Sequence, residues 1–235
     1  MNFGDETGRG FLPMHDELSL EILTPTVRLV SESWAAHIDR ACAALKSVGA
    51  RRQEHGVRAL VARMKHTRPS TYEHCVRVAR SSRLIGRAFG FDGERLRQAA
   101  LTAMMHDIGK LLVPDFILSS PRKPTRVERF VLNRHPSFGA LLASYYGLPA
   151  ELRIRTQHHH ERWDGRGYPH RLGGEDIPLM ARIVQVADSF DAMTDQRGYN
   201  TPRTHADAVA ELRRESGRQF DPRVVEAYLD TLPEG

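Results

Sequence analysis

His106 and Asp107 stand side by side in the apolar stretch TAMMHDIGK. Farther along, His158, His159 and His160 run directly into Glu161 and a glycine-rich segment, HHHERWDGRGYP (158–169). Imidazole nitrogens and carboxylate oxygens together suit manganese, iron, nickel or zinc. A lone His-Asp pair also fits a helix end with a capping aspartate, so its meaning depends on what accompanies it. His74 falls on an apolar helical stripe, His135 precedes a proline, and Asp188 follows the apolar run MARIVQVA. Polar groups in such surroundings are costly without partners. A metal centre gives His74, His106, Asp107, His135, His159, His160 and Asp188 one common partner.

These residues need rigid elements to hold them, and the hydrophobic pattern supplies helices. In TYEHCVRVARSSRLIGRAFGF, His74, Val78, Ile85 and Phe89 lie within about a 60° sector at ~100° per residue, which puts His74 on the buried face. The next helix, GERLRQAALTAMMHDIGK, is predicted to start after a capping Asp92 and to end at Gly109. The stretch TRVERFVLNRHPSFGALLASYYG reads as helix, break at Pro136, helix. PAELRIRTQHHH begins with a proline suited to a helix start. Residues 177–194, HADAVAELRRES and PRVVEAYLD are further amphipathic helices. MARIVQVA also fits a buried strand, but no other segment reads as a strand to pair with it. The expected fold class is all-α. Ahead of this core, helices are predicted over 31–45 and 52–66. The expected division is a lead-in and helical extension over 1–66 and a main domain over 67–235.

The chain has 235 residues, enough to bury a large core without a disulfide or a structural metal. Metal ligands here therefore point to chemistry. Cys42 and Cys75 both sit in helical patterns and fit a reducing cytoplasm. The formal net charge is +5, but the basic residues are interleaved with acids and form no dense arm, so no DNA or RNA partner is expected. The N-terminus has no signal-peptide pattern, and no apolar run reaches the ~20 residues of a membrane helix. A cytoplasmic location and no membrane partner are expected.

His106, Asp107 and Lys110, followed by HHERWDGRGYP (159–169), resemble the HD-GYP domains, a branch of the HD phosphohydrolases. The resemblance covers about residues 70–232. It implies an HD-domain helical bundle and a phosphodiesterase that acts on a cyclic dinucleotide, usually cyclic di-GMP, with cyclic GMP-AMP as the other candidate. It also implies two divalent metals, iron or manganese first and nickel or zinc next. One would take His74, His106, Asp107 and Asp188; the other would take Asp107 as a bridge with His135, His159 and His160. Two such ions clamp a phosphodiester and lower the pKa of a bridging water, whose hydroxide attacks phosphorus. Asp107 and Lys110 would be the catalytic side chains, and Lys110 would offset charge on the phosphoryl oxygens. Arg197 aligns with a phosphate-binding residue, and Tyr168, set by Gly165, Gly167 and Pro169, would border the substrate. Trp163 and Asp164 would brace that loop, and His158 would be an extra, supporting histidine. A GGDEF-domain protein is the implied partner at the loop, and residues 1–66 would pack on the core or form a homodimer.

The sequence departs from the family pattern in places. Where some members carry a glutamate that binds a third metal, this chain has Ser70. Glu73 points off the face of His74. Two metals, and a linear dinucleotide product, are therefore expected. Asn200 stands where Lys or Arg is common, with Arg203 as a substitute, and Arg166 adds a cation between the two loop glycines. A low-activity sensor or GGDEF-docking module with an intact metal site is the alternative, and hydrolysis of another phosphoester is a third reading.

Overall fold

The computed structural model describes residues 53–195 and 202–232. Its helices are α1 (Gln53–Thr67), α2 (Pro69–Ala88), α3 (Gly93–Met105), α4 (Arg126–Leu132), α5 (His135–Tyr145), α6 (Ala150–Gln157), α7 (Leu179–Thr194), α8 (His205–Glu215) and α9 (Pro222–Leu229). Short 3-10 turns at Ile108–Leu112 and Gly174–Asp176, and a one-turn helix at Asp115–Leu118, complete the order. No strand occurs among the described residues, so the all-α expectation holds. Cys42, the predicted helix over 31–45 and Arg197 lie outside the described residues.

Local chemistry sets the helix ends. Asp92 caps α3 by accepting from the Arg95 amide at 2.8 Å. Thr125 and Glu128 form a reciprocal capping box at α4, which satisfies two otherwise orphaned amides. Pro69, Pro136 and Pro222 each occupy a first turn, where the missing N–H costs nothing.

Two expected boundaries are corrected. α3 ends at Met105 and not at Gly109, because the chain turns into the 3-10 segment just after His106-Asp107. Gly109 serves close packing instead: a Cβ there would lie 1.9 Å from the His135 carbonyl oxygen and 2.5 Å from the Gly139 amide nitrogen. The break between α4 and α5 falls at Asn133-Arg134, and Pro136 belongs to the first turn of α5.

Two apolar clusters form the core. The first joins α2, α3 and α7 to α8 and α9, through residues such as Val78, Ile85, Ile183, Val186, Leu212 and Val224. The second joins α1 and the 3-10 turn to α5 and α6, through Leu60, Met64, Ile108, Leu112 and Leu142. Helix α1 thus packs into this core with Leu60 and Met64 fully or almost fully buried. α7 is buried on nearly every face from Met180 to Ala187, which is why MARIVQVA lacks a polar stripe and also fits a strand pattern. Two of its buried polar side chains tie it to neighbouring segments: Arg182 donates to Asp221 at 2.5 Å, and Gln185 donates to the Glu161 carbonyl.

Candidate metal centre

Five elements or turns deliver the candidate ligands to one place. α2 brings His74, the end of α3 brings His106 and Asp107, the first residue of α5 is His135, the turn after α6 brings His159 and His160, and α7 brings Asp188. The close approach at Gly109 draws the His106-Asp107 turn against the start of α5. Donor atoms of His74, His106 and Asp188 lie within 4.8 Å of one another, and so do those of His135, His159 and His160. Asp107 faces both groups. Its Oδ2 is 3.4 Å from His106 Nε2 and 3.6 Å from His74 Nε2, while its Oδ1 is 3.2 Å from His135 Nε2.

The hydrogen bonds around the rings decide which nitrogen faces inward. His106, His135 and His159 donate through Nδ1 to the carbonyls of Ala103, Leu132 and Thr156, each three residues earlier, at 2.6, 2.7 and 2.7 Å. A carbonyl only accepts, so Nδ1 carries the proton and Nε2 turns its lone pair to the centre. His74 is held the same way, with Nδ1 2.7 Å from the Asp191 carboxylate. Nε2 of His74 lies 3.2 Å from Nε2 of His106, and Nε2 of His135 lies 3.2 Å from Nε2 of His159. Lone pairs facing at that distance repel unless a proton or a cation stands between them. Two nitrogens on one metal at about 2.1 Å, with angles from ~90° to tetrahedral, would be roughly 3.0–3.4 Å apart. The donor set and spacing therefore fit a divalent cation in each half.

Charge points the same way. Burial alone would raise Asp107, but the Lys110 ammonium and the His106 and His135 rings outweigh it and hold the carboxyl well below its ordinary range. Burial would also raise Asp188, yet His74 and His106 keep it far below. His106 is buried, which opposes its charge, but the Asp107 carboxylate overrides burial and holds the imidazole well above its usual value. The acidic half thus attracts positive charge. Burial and the neighbouring imidazoles push His159 well down, and burial with His135 pushes His160 down to about 3. Both stay neutral and so keep lone pairs for a ligand bond. Lys110 donates to Asp107 Oδ2 at 2.6 Å with its side chain 24% exposed, at the edge of the centre.

The loop after His160 packs directly on the candidate ligand His160. A Cβ at Gly167 would lie 2.3 Å from the Arg162 amide nitrogen and 2.6 Å from the His160 carbonyl oxygen, so only glycine fits. That approach stacks Tyr168 on the His160 ring, with centroids 4.9 Å apart and planes at 25°. Burial and the Asp107 and Asp188 carboxylates push the Tyr168 hydroxyl above its ordinary range. Asp164 takes the Arg162 side chain and the Arg166 amide, and the Trp163 and Asp164 amides donate to the carbonyls of Gln219 and Arg218.

A family model for the HD domain matches residues 57–224. The chain belongs to the HD domain family. It is 42% identical over 158 residues to the cyclic di-GMP phosphodiesterase response regulator RpfG of Xanthomonas campestris, a match covering 65% of this chain and 41% of that protein. It is 35% identical over 162 residues to a 3′3′-cGAMP-specific phosphodiesterase of Vibrio cholerae, covering 68% of this chain and 31% of that one. The chain thus spans less than half the length of these relatives. Among solved structures, an HDG“Y”P protein from Bdellovibrio bacteriovorus shares the fold with a TM-score of 0.59 at 20% identity, covering 86% of this chain and 64% of that one. The HD-GYP resemblance and the helical-bundle expectation are borne out.

Around the candidate ligands this HD domain has supports that the sequence reading did not single out. Arg77 grips Asp191 with two hydrogen bonds, 2.7 Å from Nε to Oδ1 and 3.0 Å from the guanidinium to Oδ2, and also donates to Asp195. Asp191 in turn holds His74. The signal was present as spacing: Arg77 lies three residues after His74, and Asp191 three after Asp188, each on its ligand's helix face. Glu161 is 1% exposed and accepts from the His170 and Leu172 amides at 2.6 and 3.1 Å. Ser70 and Glu73 are both exposed on α2. Arg203 is paired with Glu211 at 2.9 Å, and Asn200, like Arg197, lies outside the described residues.

Proposed function

We propose that this HD domain is a metal-dependent phosphodiesterase that opens a cyclic dinucleotide, cyclic di-GMP first and cyclic GMP-AMP second. The observation that carries this reading is Asp107, one carboxylate whose two oxygens face two separate groups of imidazoles. The relatives named for cyclic di-GMP and cGAMP hydrolysis support the substrate class.

His74, His106, Asp107 and Asp188 would hold one ion, and Asp107, His135, His159 and His160 the other. Iron or manganese suits this mixed set first, then nickel or zinc. Such a pair, when bound, supplies an activated water and neutralises charge on the phosphoryl oxygens. The chain does the rest. Lys110 stands beside Asp107 and offsets negative charge that builds on the phosphate as the P–O bond to the 3′ oxygen breaks and one from water forms. Tyr168, stacked on His160, offers an aromatic wall beside the substrate. Arg197, which follows α7 in the sequence, would bind a phosphate of the substrate. With Ser70 and Glu73 offering no carboxylate to the centre, hydrolysis stops at the linear dinucleotide. A GGDEF-domain partner would meet the loop at the exposed Arg166. No helix among the described residues is long and apolar enough to cross a membrane, in keeping with a cytoplasmic setting.

The test is anaerobic purification, loading with manganese or iron, and incubation with each cyclic dinucleotide under chromatographic readout. Linear dinucleotide is the expected product. Early mononucleotide would overturn the two-metal, single-cut reading. Tight binding with no turnover would replace the enzyme reading with that of a sensor.

A further inference from the structure

His158 is the first histidine of the run, and it turns away from the centre. Its Nε2 lies 3.0 Å from Nδ1 of His170, the residue that follows Pro169. Glu161 closes the group: donor atoms of His158, Glu161 and His170 all lie within 4.8 Å of one another. His158 and Glu161 are buried while His170 is exposed, so the group opens to solvent on one side. Nδ1 of His158 is buried without a hydrogen-bond partner among the described residues. Two imidazoles and a carboxylate converge here with no lysine or arginine side chain bonded to any of them among the described contacts.

We propose that His158, Glu161 and His170 form a separate divalent-metal site of the zinc class, which clasps the base of the loop carrying Tyr168. The donor set suits zinc, with water in a fourth position facing solvent. The nitrogen separation of 3.0 Å is a hydrogen-bond distance, which need open only by a few tenths of an ångström to reach the roughly 3.3–3.4 Å of two nitrogens on a tetrahedral zinc. Glu161 still has lone pairs free, because each of its oxygens accepts one backbone amide. The sequence positions give the site its consequence. His158 immediately precedes His159 and His160, and His170 immediately follows Gly167-Tyr168-Pro169, so an ion here ties the two ends of the loop together. Tyr168, stacked on His160, would be fixed in place by a cation that is not part of the central cluster.

This rests on the same fold as the phosphodiesterase reading but not on its chemistry, and the experiment separates the two. The full chain is stripped with chelator, titrated with Zn²⁺, gel-filtered and analysed for metal, as wild type, His170→Ala, Asp107→Ala and the double variant. His170→Ala should hold one zinc ion fewer than wild type, and the double variant one fewer than Asp107→Ala. Limited proteolysis should cut between residues 161 and 172 more slowly once zinc is added, and only when His170 is present. Equal zinc content with and without His170 in both backgrounds, at every zinc concentration, would overturn the site. If Asp107→Ala keeps all its metal, the central-cluster reading fails while the His170 difference still decides this one. His170→Gln repeats the comparison should the alanine variant not fold, with circular dichroism as the check.

Discussion

On the His74 side of the centre, two long helices set the donors: α2 carries His74 and α7 carries Asp188, with Asp191 and Arg77 bracing His74 from behind. On the His135 side, three imidazoles come from a helix start and a turn, and two of them are oriented by backbone carbonyls alone. The first half is acidic and pulls His106 towards its charged form. The second is imidazole-rich and keeps His159 and His160 neutral. A cation entering the acidic half gains Coulomb attraction from Asp188 as well as Asp107. One entering the imidazole half relies on dative bonds and on Asp107 alone. The first ion should therefore bind more tightly, and the second should be the one lost on dilution or with mild chelation.

Asp107 belongs to both halves, and its removal is the strongest way to break the contrast. Asp107→Ala should empty both halves and lower turnover on the order of 10³-fold or more, since the metal-derived nucleophile and the phosphate clamp go together. Metal analysis showing full content would contradict the shared carboxylate. Lys110→Ala comes next. Loss of one preorganised cation at the phosphate should lower kcat by about 10²–10³-fold with metal content unchanged. If metal is lost as well, the 2.6 Å bond from Lys110 to Asp107 serves to hold the bridging carboxylate in place.

Much of this arrangement was readable from residue types and periods. His74 was placed on a buried face because Val78 and Ile85 repeat its position, and it is 3% exposed. The run of apolar helices without alternating strands led to an all-α fold, as observed. What periodicity does not carry is contact between distant segments. Gly109 reads as a helix stop in one dimension, yet its role is to let the chain touch His135 and Gly139 thirty residues away. Arg77 looks like any exposed helix arginine until α7 packs beside α2 and sets Asp191 against it. The division of ligands between the halves came from family resemblance and not from spacing, because spacing along the chain does not say which side of Asp107 a ring will face.

Asp191→Asn sharpens the comparison by weakening one half only. The amide can still accept from His74 Nδ1, but it loses the charge that makes the ring a stronger donor and releases Arg77. Outer ligand partners of this kind affect metal affinity by about 10–100-fold. The loss should fall on the more tightly bound ion, so that the two dissociation constants draw together. A competition titration with a chelator reads both, and an unchanged first constant would mean that Asp191 serves only to join α2 to α7.

Acid should have its smallest but most informative effect on the metal-free chain. His159 and His160 have folded pKa values below the unfolded value of about 6.5. The unfolded state therefore takes up their protons first as pH falls. Stability from keeping these rings neutral is complete above about pH 6.5 and is lost as pH falls from there towards about 3. His106 has the opposite sign: its raised pKa stabilises the fold below about pH 6.5 and loses that effect as pH rises through its folded value. Below about pH 6.5 the His106 contribution is constant, so His159 and His160 set the slope, a decline on the order of 2–3 kcal/mol per pH unit between about pH 6 and 4. Thermal melts of chelator-treated protein should show it, and His160→Gln should flatten the slope. Added metal should steepen it, because a coordinated imidazole nitrogen stays closed to the proton in the folded state while the unfolded chain still takes protons up. A melting temperature that stays level from pH 7 to 4 without metal would mean that the imidazole half already shares charge with Asp107, and that the two halves differ less than their ligands suggest.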